Sequence, residues 1–480
     1  MLADTLAAYC AELRFNQLPP PVIEAAKVKI VDTLGCAFAA LGTETADVLR
    51  ASANNYLASG EVALWGLGRE SSVLDAAFYN GVLAHALLHD DTDLESGHVA
   101  CMVVPAALAV AGQLHAQRVQ VSGQEILTAI VLGYEIMWRA SGCGAVVAGS
   151  LERGFRGYIV NGALGAAAAA ARVMGLPRAG HRNALSCAAN AISGLLEPVG
   201  LASIERSMMA GNNARTGTHA ALLANSGLTG TPSILEGAQG YFYAVGGLSS
   251  FSAEQCTRDL GARHRILDTH FKLYPSAGAN QSAIYAAEVF RQRHRPDCDS
   301  IARVKVIQYP LFGNAVMLSS GKPAYPSILS AGPYSNVEET LPNKPFGVAS
   351  MLLNGRHDVD AIFAGLDNTR LQQLAAKIGS DGDGAFGPLD AAIEITFQNG
   401  ERIVERVDCG KEPRFYPTMA DMPQRRRAMC GEHLSGVAID QLVTAVEGIQ
   451  QSGGATRLLD LLGALGEPSG RARTSAAVQT

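Results

Sequence analysis

The run at residues 162–171 (GALGAAAAAA) constrains the fold more than any other stretch of the chain. Alanine has the highest helix propensity, and a helix of alanine and glycine has almost no side-chain bulk. Neighbouring helices can therefore approach such a helix very closely. We expect this segment to form a helix at the centre of a bundle.

Helical patterning extends over about the first 270 residues. Pro21 stands at a predicted helix start, and the apolar residues between Val22 and Leu34 follow the 3.6-residue period of a helix. Further helices are predicted at residues 103–116 and 211–226. The pattern of this part of the chain is typical of a large all-helical domain.

The character of the sequence changes near Tyr274. Residues 301–307 alternate like a strand, and two further strand-like runs, 392–397 and 402–407, flank Asn399-Gly400. An Asn-Gly pair between two such runs predicts a hairpin, because a type I′ turn needs positive φ at both central residues. Helices are predicted near 282–293 and 346–353, and again over 426–451 and 455–465.

These patterns predict a mainly α protein with three connected parts. We expect a large all-helical domain from residues 1–271, a smaller, compact α/β domain at 272–410, and helices at 411–465 that return to the first domain. Residues 466–480 are small and polar, so we expect a flexible tail.

Composition narrows the function classes. The formal net charge of −6 gives no electrostatic footprint for nucleic acid. The most apolar stretch, residues 99–116, contains Pro105 and follows an acidic loop, which argues against a membrane span. Nine scattered cysteines without a CxxC spacing indicate neither a zinc site nor an iron–sulfur cluster. Reduced thiols favour a cytoplasmic location.

Ionisable residues are concentrated between apolar runs at residues 80–105. Because only 17% of the chain is charged, we expect these groups to be partly buried. Burial shifts pKa values, and general acid–base chemistry depends on such shifts. The alternative is a helix-capping loop whose histidines are satisfied in the core. The residues concerned are His85, His89, Asp90, Asp91, Asp93, Glu95 and His98.

Three further segments carry charged or polar groups beside predicted helices. They are residues 153–158 (RGFRGY), 205–215 and 270–276 (HFKLYPS). The first precedes the alanine-rich helix, where backbone N–H groups can receive an anion. An active site between two domains needs contributions from both, so these segments join the acidic–histidine segment as candidates.

Five stretches in order along the chain carry a family resemblance. They are VDTLGCAFAALG (31–42), NGVLAHALLHDDTDLESGHV (80–99), GFRGYIVNGALGAAAAAARVMGL (154–176), GNNARTGTHAALLANSGLTGTPSILEG (211–237) and FKLYPSAGANQSAIYAA (271–287). Together they resemble the MmgE/PrpD family, which includes 2-methylcitrate dehydratase, cis-aconitate decarboxylase and iminodisuccinate epimerase. The resemblance covers nearly the whole chain.

The resemblance implies a helical domain with an inserted lid, a homodimer, and chemistry on a small carboxylic acid without metal or organic cofactor. Residue by residue, it implies that His98 is an acid or base and that Asp91 orients it. Lys272 would neutralise a carboxylate or transfer a proton, and Thr92 would hydrogen-bond the substrate. The alternatives are an ST-turn for Thr92, a surface position for Lys272 and a structural role for His98. The predicted substrate-binding set is completed by Arg156, Arg206, His89 and Ser276.

The chain also departs from the family pattern. Arg156 stands where the family often has His, and Arg206 where it often has Lys. Arginine keeps the positive charge and grips a carboxylate, but its pKa above about 12 prevents proton transfer near neutral pH. Tyr158 is the candidate replacement acid, with a structural role as the alternative. The other departures are Met209 and Gln281, where His is common, and Leu88, where the decarboxylases carry Asp.

Three functions follow from these residues. In the first, a lyase, His98 or Lys272 removes a proton next to a carboxylate while Arg156 and Arg206 hold the acid. The second is an epimerase that uses two acid–base groups on opposite sides of the substrate, for instance His98 and either Lys272 or Tyr158. The third is a family member that binds a ligand without catalysis.

Overall fold

The computed structural model describes residues 1–248, 252–430 and 433–466. Within them the protein is mainly α, with a small α/β part in the second half, as predicted. The first part of the chain forms a bundle of helices. These are α1 (Leu2–Glu12), α2 (Pro20–Ala39), α3 (Glu44–Tyr56), α4 (Val73–Ala86), α5 (Ala100–Ala116), α6 (Gly123–Ala140), α7 (Ala145–Glu152), α8 (Gly162–Val173), α9 (Arg178–Asn190), α10 (Glu197–Gly200), α11 (Glu205–Asn225), α12 (Tyr241–Ala244) and α13 (Ala253–Thr257).

Helix α8 lies at the centre of this bundle, as its alanine content predicts. All 12 of its residues are buried, and it packs against α5, α6, α9 and α11. Gly217 of α11 approaches it so closely that a Cβ there would lie 2.5 Å from the Cβ of Ala166 and 2.6 Å from the Ala163 carbonyl oxygen. A side-chain carbon has no room at such separations.

A short hairpin corrects the expectation that the first part is all helical. Strands β1 (Val62–Leu64) and β2 (Arg69–Ser71) pair antiparallel between α3 and α4. Each strand has three residues, which is too few for the two-residue period of a strand to be visible in the sequence.

The second half holds a four-stranded sheet. Its order is β4-β3-β5-β6, with β3 and β4 parallel and the other two pairs antiparallel. Helices α14 and α17 pack against each other, and α14 covers β5 and β6. The elements are α14 (Gln281–His294), β3 (Ile301–Gln308), α15 (Pro310–Gly313), α16 (Val337–Thr340), α17 (Lys344–Asn354), α18 (Val359–Leu366), α19 (Thr369–Ala375), β4 (Ile378–Gly382), β5 (Asp390–Phe397) and β6 (Arg402–Asp408).

The predicted hairpin at Asn399-Gly400 is confirmed, but its turn type is not. Gly400 has φ +84°, whereas Asn399 is not among the residues with positive φ. The Gly400 N–H donates to the carbonyl of Phe397, and the Phe397 N–H donates to the carbonyl of Glu401. The loop therefore has three residues and only its last is left-handed, in place of a two-residue type I′ turn.

The last described helices are α20 (Met422–Cys430), α21 (Gly436–Glu447) and α22 (Gly454–Ala464). The single helix predicted over 426–451 is divided in two, because Ser435 accepts a hydrogen bond from the Ala438 N–H and begins α21. Helices α20 and α21 pack on α2, and α22 packs on α5 and α6, so this segment returns to the helical bundle. The predicted tail at 466–480 lies, after Gly466, outside the described residues.

Two large hydrophobic cores divide the chain. The first collects buried residues from 2–271 and 419–462, and the second collects them from 274–407 together with Leu88. The two ends of the intervening segment meet where the Phe271 N–H donates to the Phe415 carbonyl at 3.0 Å. The domain division at 271 and 410 stays a prediction, which these two cores support. No described helix combines the length and apolar character needed to cross a bilayer.

Candidate active site

The loop between α4 and α5 holds the acidic–histidine residues in a fixed conformation. Asp91 Oδ1 accepts a hydrogen bond from the Ala100 N–H at 3.0 Å and so caps the start of α5. Asp93 Oδ2 accepts from the N–H groups of Glu95 and Ser96 and closes a tight turn. These local bonds hold Asp90 and His98, which lie between and beside them, in defined positions.

The buried carboxylate of Asp90 is the hub of the site. Its Oδ2 lies 2.9 Å from Nδ1 of His98, and its Oδ1 lies 3.0 Å from Nδ1 of His85. The Nζ of Lys272 lies 3.6 Å from the same Oδ1 and donates to the Leu88 carbonyl at 2.9 Å. Because an ionised carboxylate only accepts, the network assigns the Nδ1 proton to both rings and leaves Nε2 of each unprotonated.

Charge and burial set the protonation states of this hub. Burial alone would raise the pKa of Asp90, but the Lys272 ammonium and the two histidines overcome it and hold that pKa well below its usual value. Burial lowers the pKa of His98 to about 4, against the opposing pull of Asp90. Burial likewise lowers the pKa of Lys272. At neutral pH the site holds an ionised carboxylate and neutral imidazoles.

Arg156 adds a buried guanidinium to the network. Its Nη1 donates to Nε2 of His85 at 3.1 Å, which the ring can accept because its proton sits on Nδ1. Burial, and then the charge of Arg206, lower the pKa of Arg156 to about 10, so it stays charged at neutral pH. This chain therefore places a fixed positive charge beside the histidine pair.

Tyr158 and His98 are joined through the backbone. The His98 N–H donates to the Tyr158 carbonyl at 3.0 Å. The preceding residue, Gly97, has φ +85°, and a Cβ there would lie 2.2 Å from the same carbonyl oxygen, so this approach requires glycine. Burial raises the pKa of Tyr158 to about 12, and its hydroxyl therefore keeps its proton at neutral pH.

A cavity of about 140 Å³ opens beside this cluster, between the helical bundle and the α/β part. Four of the predicted residues line it: Thr92, His98, Arg156 and Tyr158. Thr92 exchanges two backbone hydrogen bonds with His270, at 3.0 and 3.1 Å, and this bridge brings the two candidate segments together. The cavity is smaller than the pockets that bind drug-sized ligands, so it suits a small molecule.

Besides Asp91, four other predicted residues are not part of the described cavity lining. Lys272 lies behind His98, on the Asp90 side. Ser276 donates to the Leu341 carbonyl, and Arg206 pairs with Glu338 and donates to the Ala86 carbonyl. His89 is buried, and burial together with the charges of Arg425 and Arg426 lowers its pKa well below the usual value.

The structure corrects the role predicted for Asp91. Its Oδ2 lies 2.8 Å from the Nζ of Lys29 and accepts from the Tyr134 hydroxyl at 2.6 Å, while Oδ1 caps α5. The carboxylate on His98 is that of Asp90. Two adjacent aspartates in a loop carry no local signal that tells which of them faces the histidine, so the sequence alone could not assign the partner.

Other cavity or cluster residues were not among the predicted site residues. His85 and Asp90 belong to the acidic–histidine segment but were given no role. His270 lines the cavity, and burial lowers its pKa to about 4. Tyr325 also lines it, and burial raises its pKa. His270 lay within a candidate segment, whereas Tyr325 stands in a stretch without any chemical signature.

Among the described residues, His85, Asp90 and Cys101 form the one group with metal-ligand spacing, within 4.8 Å. However, the Lys272 ammonium lies 3.6 Å from Asp90 Oδ1 and would repel a cation. The Nδ1 of His85 already faces that oxygen as a donor. These contacts favour hydrogen bonds between the His85 and Asp90 side chains over a bound metal ion.

The family model of the MmgE/PrpD N-terminal domain matches residues 4–254, which contain the acidic–histidine loop, Arg156 and Tyr158. This chain belongs to the MmgE/PrpD family. In this MmgE/PrpD chain, the matched region holds the whole histidine–aspartate cluster, and Lys272 and His270 lie just beyond it.

Full-length relatives align with this MmgE/PrpD chain at low identity. Mouse cis-aconitate decarboxylase is 26% identical over 475 residues, which cover 94% of this chain and 91% of that enzyme. Human cis-aconitate decarboxylase is 25% identical over 484 residues, with 96% and 94% covered. A cis-aconitate decarboxylase-like protein of Aspergillus oryzae is 24% identical over 481 residues, with 95% and 96% covered.

Proposed function

We propose that this chain is a cofactor-independent lyase of the dehydratase or decarboxylase type that acts on a small carboxylic acid. The observation that carries the proposal is the Asp90–His98 hydrogen bond, which orients an imidazole at the wall of a cavity that also holds Arg156. An oriented base beside a fixed cation is the arrangement that proton abstraction next to a carboxylate requires.

In the binding step, Arg156 receives the substrate carboxylate. A guanidinium can meet both carboxylate oxygens and remains charged while doing so. Its contact with Nε2 of His85 holds it in one orientation, because that ring is itself fixed by Asp90. Negative charge that develops on the substrate during proton removal is stabilised by the same guanidinium.

In the chemical step, Nε2 of His98 takes the proton from the carbon next to the carboxylate. Asp90 keeps the imidazole in the tautomer with Nδ1 protonated and stabilises the imidazolium that forms, and Lys272 balances the charge of Asp90. In a dehydration, the C–H electron pair forms the new double bond as the C–O bond on the adjacent carbon breaks. The hydroxyl leaves as water with a proton from Tyr158.

In a decarboxylation, the site donates a proton to the substrate carbon instead of removing one. The C–C bond to the carboxylate breaks, carbon dioxide leaves, and the electron pair on carbon takes a proton from Tyr158. The decarboxylase names of the mouse and human relatives favour this branch. Leu88, which stands where the decarboxylases carry Asp and lines the cavity, favours the dehydratase branch.

The test uses a panel of 2- and 3-hydroxy acids and α,β-unsaturated acids incubated with the protein in D2O and followed by NMR. We expect new alkene signals or loss of carbon dioxide for at least one acid. His98→Asn should lower that rate by about 10²- to 10⁴-fold. The control is His181→Asn, since His181 is also buried and shares a pKa lowered to about 4, but lies on α9 outside the cavity lining.

Two other outcomes have distinct signatures. Deuterium incorporation into an otherwise unchanged substrate would support the epimerase, with His98 and Tyr158 as the two acid–base groups. Binding without turnover of any acid would support the non-catalytic member. The homodimer stays a prediction from the family resemblance, and light scattering of the purified chain tests it. The cytoplasmic location stays a prediction from the scattered, reduced cysteines.

A further inference from the structure

The cavity beside His98 has two unlike ends. Its polar end is built by the helical bundle and the loop before α5, with His98, Arg156 and Tyr158. The wall that the α/β part contributes is mainly apolar, with Gln281, Ser282, Asn314 and Tyr325 as its polar members. Six of its side chains are Phe312, Val316, Ile328, Leu329, Leu389 and Phe415.

The polar end holds few charges for an anion. Of the described residues that line the cavity, Arg156 is the sole lysine or arginine, and Asp93 is the sole acid. The histidines there do not add positive charge, since burial lowers the pKa of both His98 and His270 to about 4. A ligand with several carboxylates would leave all but one of them without a cationic partner among these lining residues, in a partly buried space where an unpaired charge is costly.

The cations that the sequence offered for further carboxylates are engaged elsewhere. Arg206 pairs with Glu338, away from the cavity lining. Lys272 faces Asp90 and the Leu88 carbonyl. Because Lys272 and both histidines already face Asp90, Arg156 is the cation of this cluster that a substrate carboxylate can meet.

The apolar wall is available to a ligand. Val316, Ile328 and Leu329 are only half-buried although they line the cavity. The segment that carries them is held over the helical bundle, because the Ser319 hydroxyl donates to Glu152 and the Ser327 hydroxyl donates to the Val199 carbonyl. An apolar group placed here is removed from water by side chains of both parts of the chain.

We propose that the substrate of this site carries a single carboxylate, held by Arg156, and a hydrocarbon substituent of several carbons that lies on the wall formed by Val316, Ile328 and Phe312. The inference rests on the proposed function for the role of the carboxylate and extends it to the substrate class. It separates this chain from enzymes that bind tricarboxylates, because the described part of the cavity lining offers the second and third carboxylates no further lysine or arginine.

The test is a titration calorimetry series with butanoate, hexanoate, octanoate and tricarballylate, a saturated tricarboxylate with the same six carbons as hexanoate. Each added methylene should tighten binding by about fourfold until the wall is covered. Hexanoate should bind more tightly than tricarballylate. Arg156→Gln should weaken all three monocarboxylates by a similar factor, because it removes the group they share.

Variants of the wall locate the hydrocarbon. Val316→Asn and Ile328→Asn should each weaken octanoate by about tenfold and leave butanoate unchanged. Met317→Asn is the matched control, since Met317 follows Val316 but is 54% exposed and is not part of the cavity lining. Two separate wall positions keep the test valid if one variant does not fold.

The inference is overturned if tricarballylate binds more tightly than hexanoate, or if affinity does not depend on chain length. The proposed function fails separately, because these saturated acids report binding without turnover. If binding depends on chain length but no acid reacts in the D2O panel, the lyase proposal is contradicted and the inferred substrate class is supported. If the protein turns over tricarboxylates in preference, the lyase proposal is supported and the inferred substrate class is contradicted.

Discussion

The Oδ2 atom of Asp90 lies 2.9 Å from Nδ1 of His98, so the imidazole meets the cavity with its Nδ1 proton committed to a buried partner. The next residue, Asp91, faces the other way and binds Lys29 at 2.8 Å. Of these two adjacent and equally buried carboxylates, Asp90 thus orients a side chain of the candidate site, and Asp91 pairs with a lysine of the helical bundle. This contrast makes them a natural pair for mutagenesis.

Asp90→Asn should reduce kcat by about 10³- to 10⁴-fold, because an amide in this place favours the wrong tautomer of His98. Asp91→Asn should act mainly on stability and lower the free energy of unfolding by about 3–5 kcal/mol, since it leaves the Lys29 ammonium buried without its carboxylate. Steady-state kinetics and thermal unfolding of both variants check this. Equal losses of kcat would contradict the assignment of the partner. Since Asp90→Asn also removes the partner of Lys272, its circular dichroism spectrum must first show a folded protein.

The pH profile should show no inflection near the usual histidine pKa. Burial lowers the pKa of His98 to about 4, so the base loses activity only when it is protonated below that pH. We therefore expect kcat/KM to stay flat between about pH 5.5 and about pH 8. A fall centred near pH 6.5 would show that the titrating base is less buried than His98.

Lys344 should make the stability of the protein depend on pH. Its Nζ donates to the Phe312 carbonyl and to the Ser380 hydroxyl, and burial lowers its pKa from 10.5 to about 7. The folded state therefore binds fewer protons than the unfolded state between these values, so this group makes stability rise with pH across that window. Below about 7 its destabilising effect is complete.

Lys344→Met removes that effect. Relative to the parent chain, the variant should gain free energy of unfolding at pH 7, on the order of a few kcal/mol, and the gain should shrink towards pH 10. Denaturant titrations at the two pH values measure it. Lys411→Met is the control, because that side chain is 84% exposed and its removal relieves no buried charge. A gain for Lys344→Met that is constant with pH would count against the titration.

Close packing of α8 should make Gly217 intolerant of a side chain. Gly217→Ala places a Cβ about 2.5 Å from atoms of Ala166 and Ala167 and should lower the free energy of unfolding by about 1–3 kcal/mol. Gly463→Ala lies in α22, where nothing stands within 4 Å of a new Cβ. It should stabilise the chain by about 0.5–1 kcal/mol through helix propensity alone. Thermal midpoints that move in the same direction would argue against the close helix contact.

Much of the fold could be predicted from local pattern. Alanine content placed α8 at the centre of the bundle, and period-two alternation found β3, β5 and β6. The short strands β1 and β2 were missed because three residues hold no period. The three-residue loop at Gly400 was predicted with the wrong turn, since Asn-Gly fits both a type I′ turn and a left-handed glycine that follows a type I turn.

The site was predictable only as a set of segments. His98, Arg156, Tyr158 and Thr92 line the cavity, while the roles that the sequence assigns to them stay predictions. The partners of Asp91 and Arg206 were not predictable, since Lys29 and Glu338 are distant in sequence. A single sequence shows which ionisable side chains are available, but long-range packing determines which of them come into contact.

The hydrogen bond from the Phe271 N–H to the Phe415 carbonyl ties together the two places where the chain leaves and re-enters the bundle. Everything between them can be regarded as a cassette with adjoining ends, which carries the hydrocarbon-facing wall and Lys272, while Asp90, His98, Arg156 and Tyr158 stay in the bundle. A different cassette that keeps Lys272, grafted between these two phenylalanines, would therefore change which acid the site binds while the reaction stays the same.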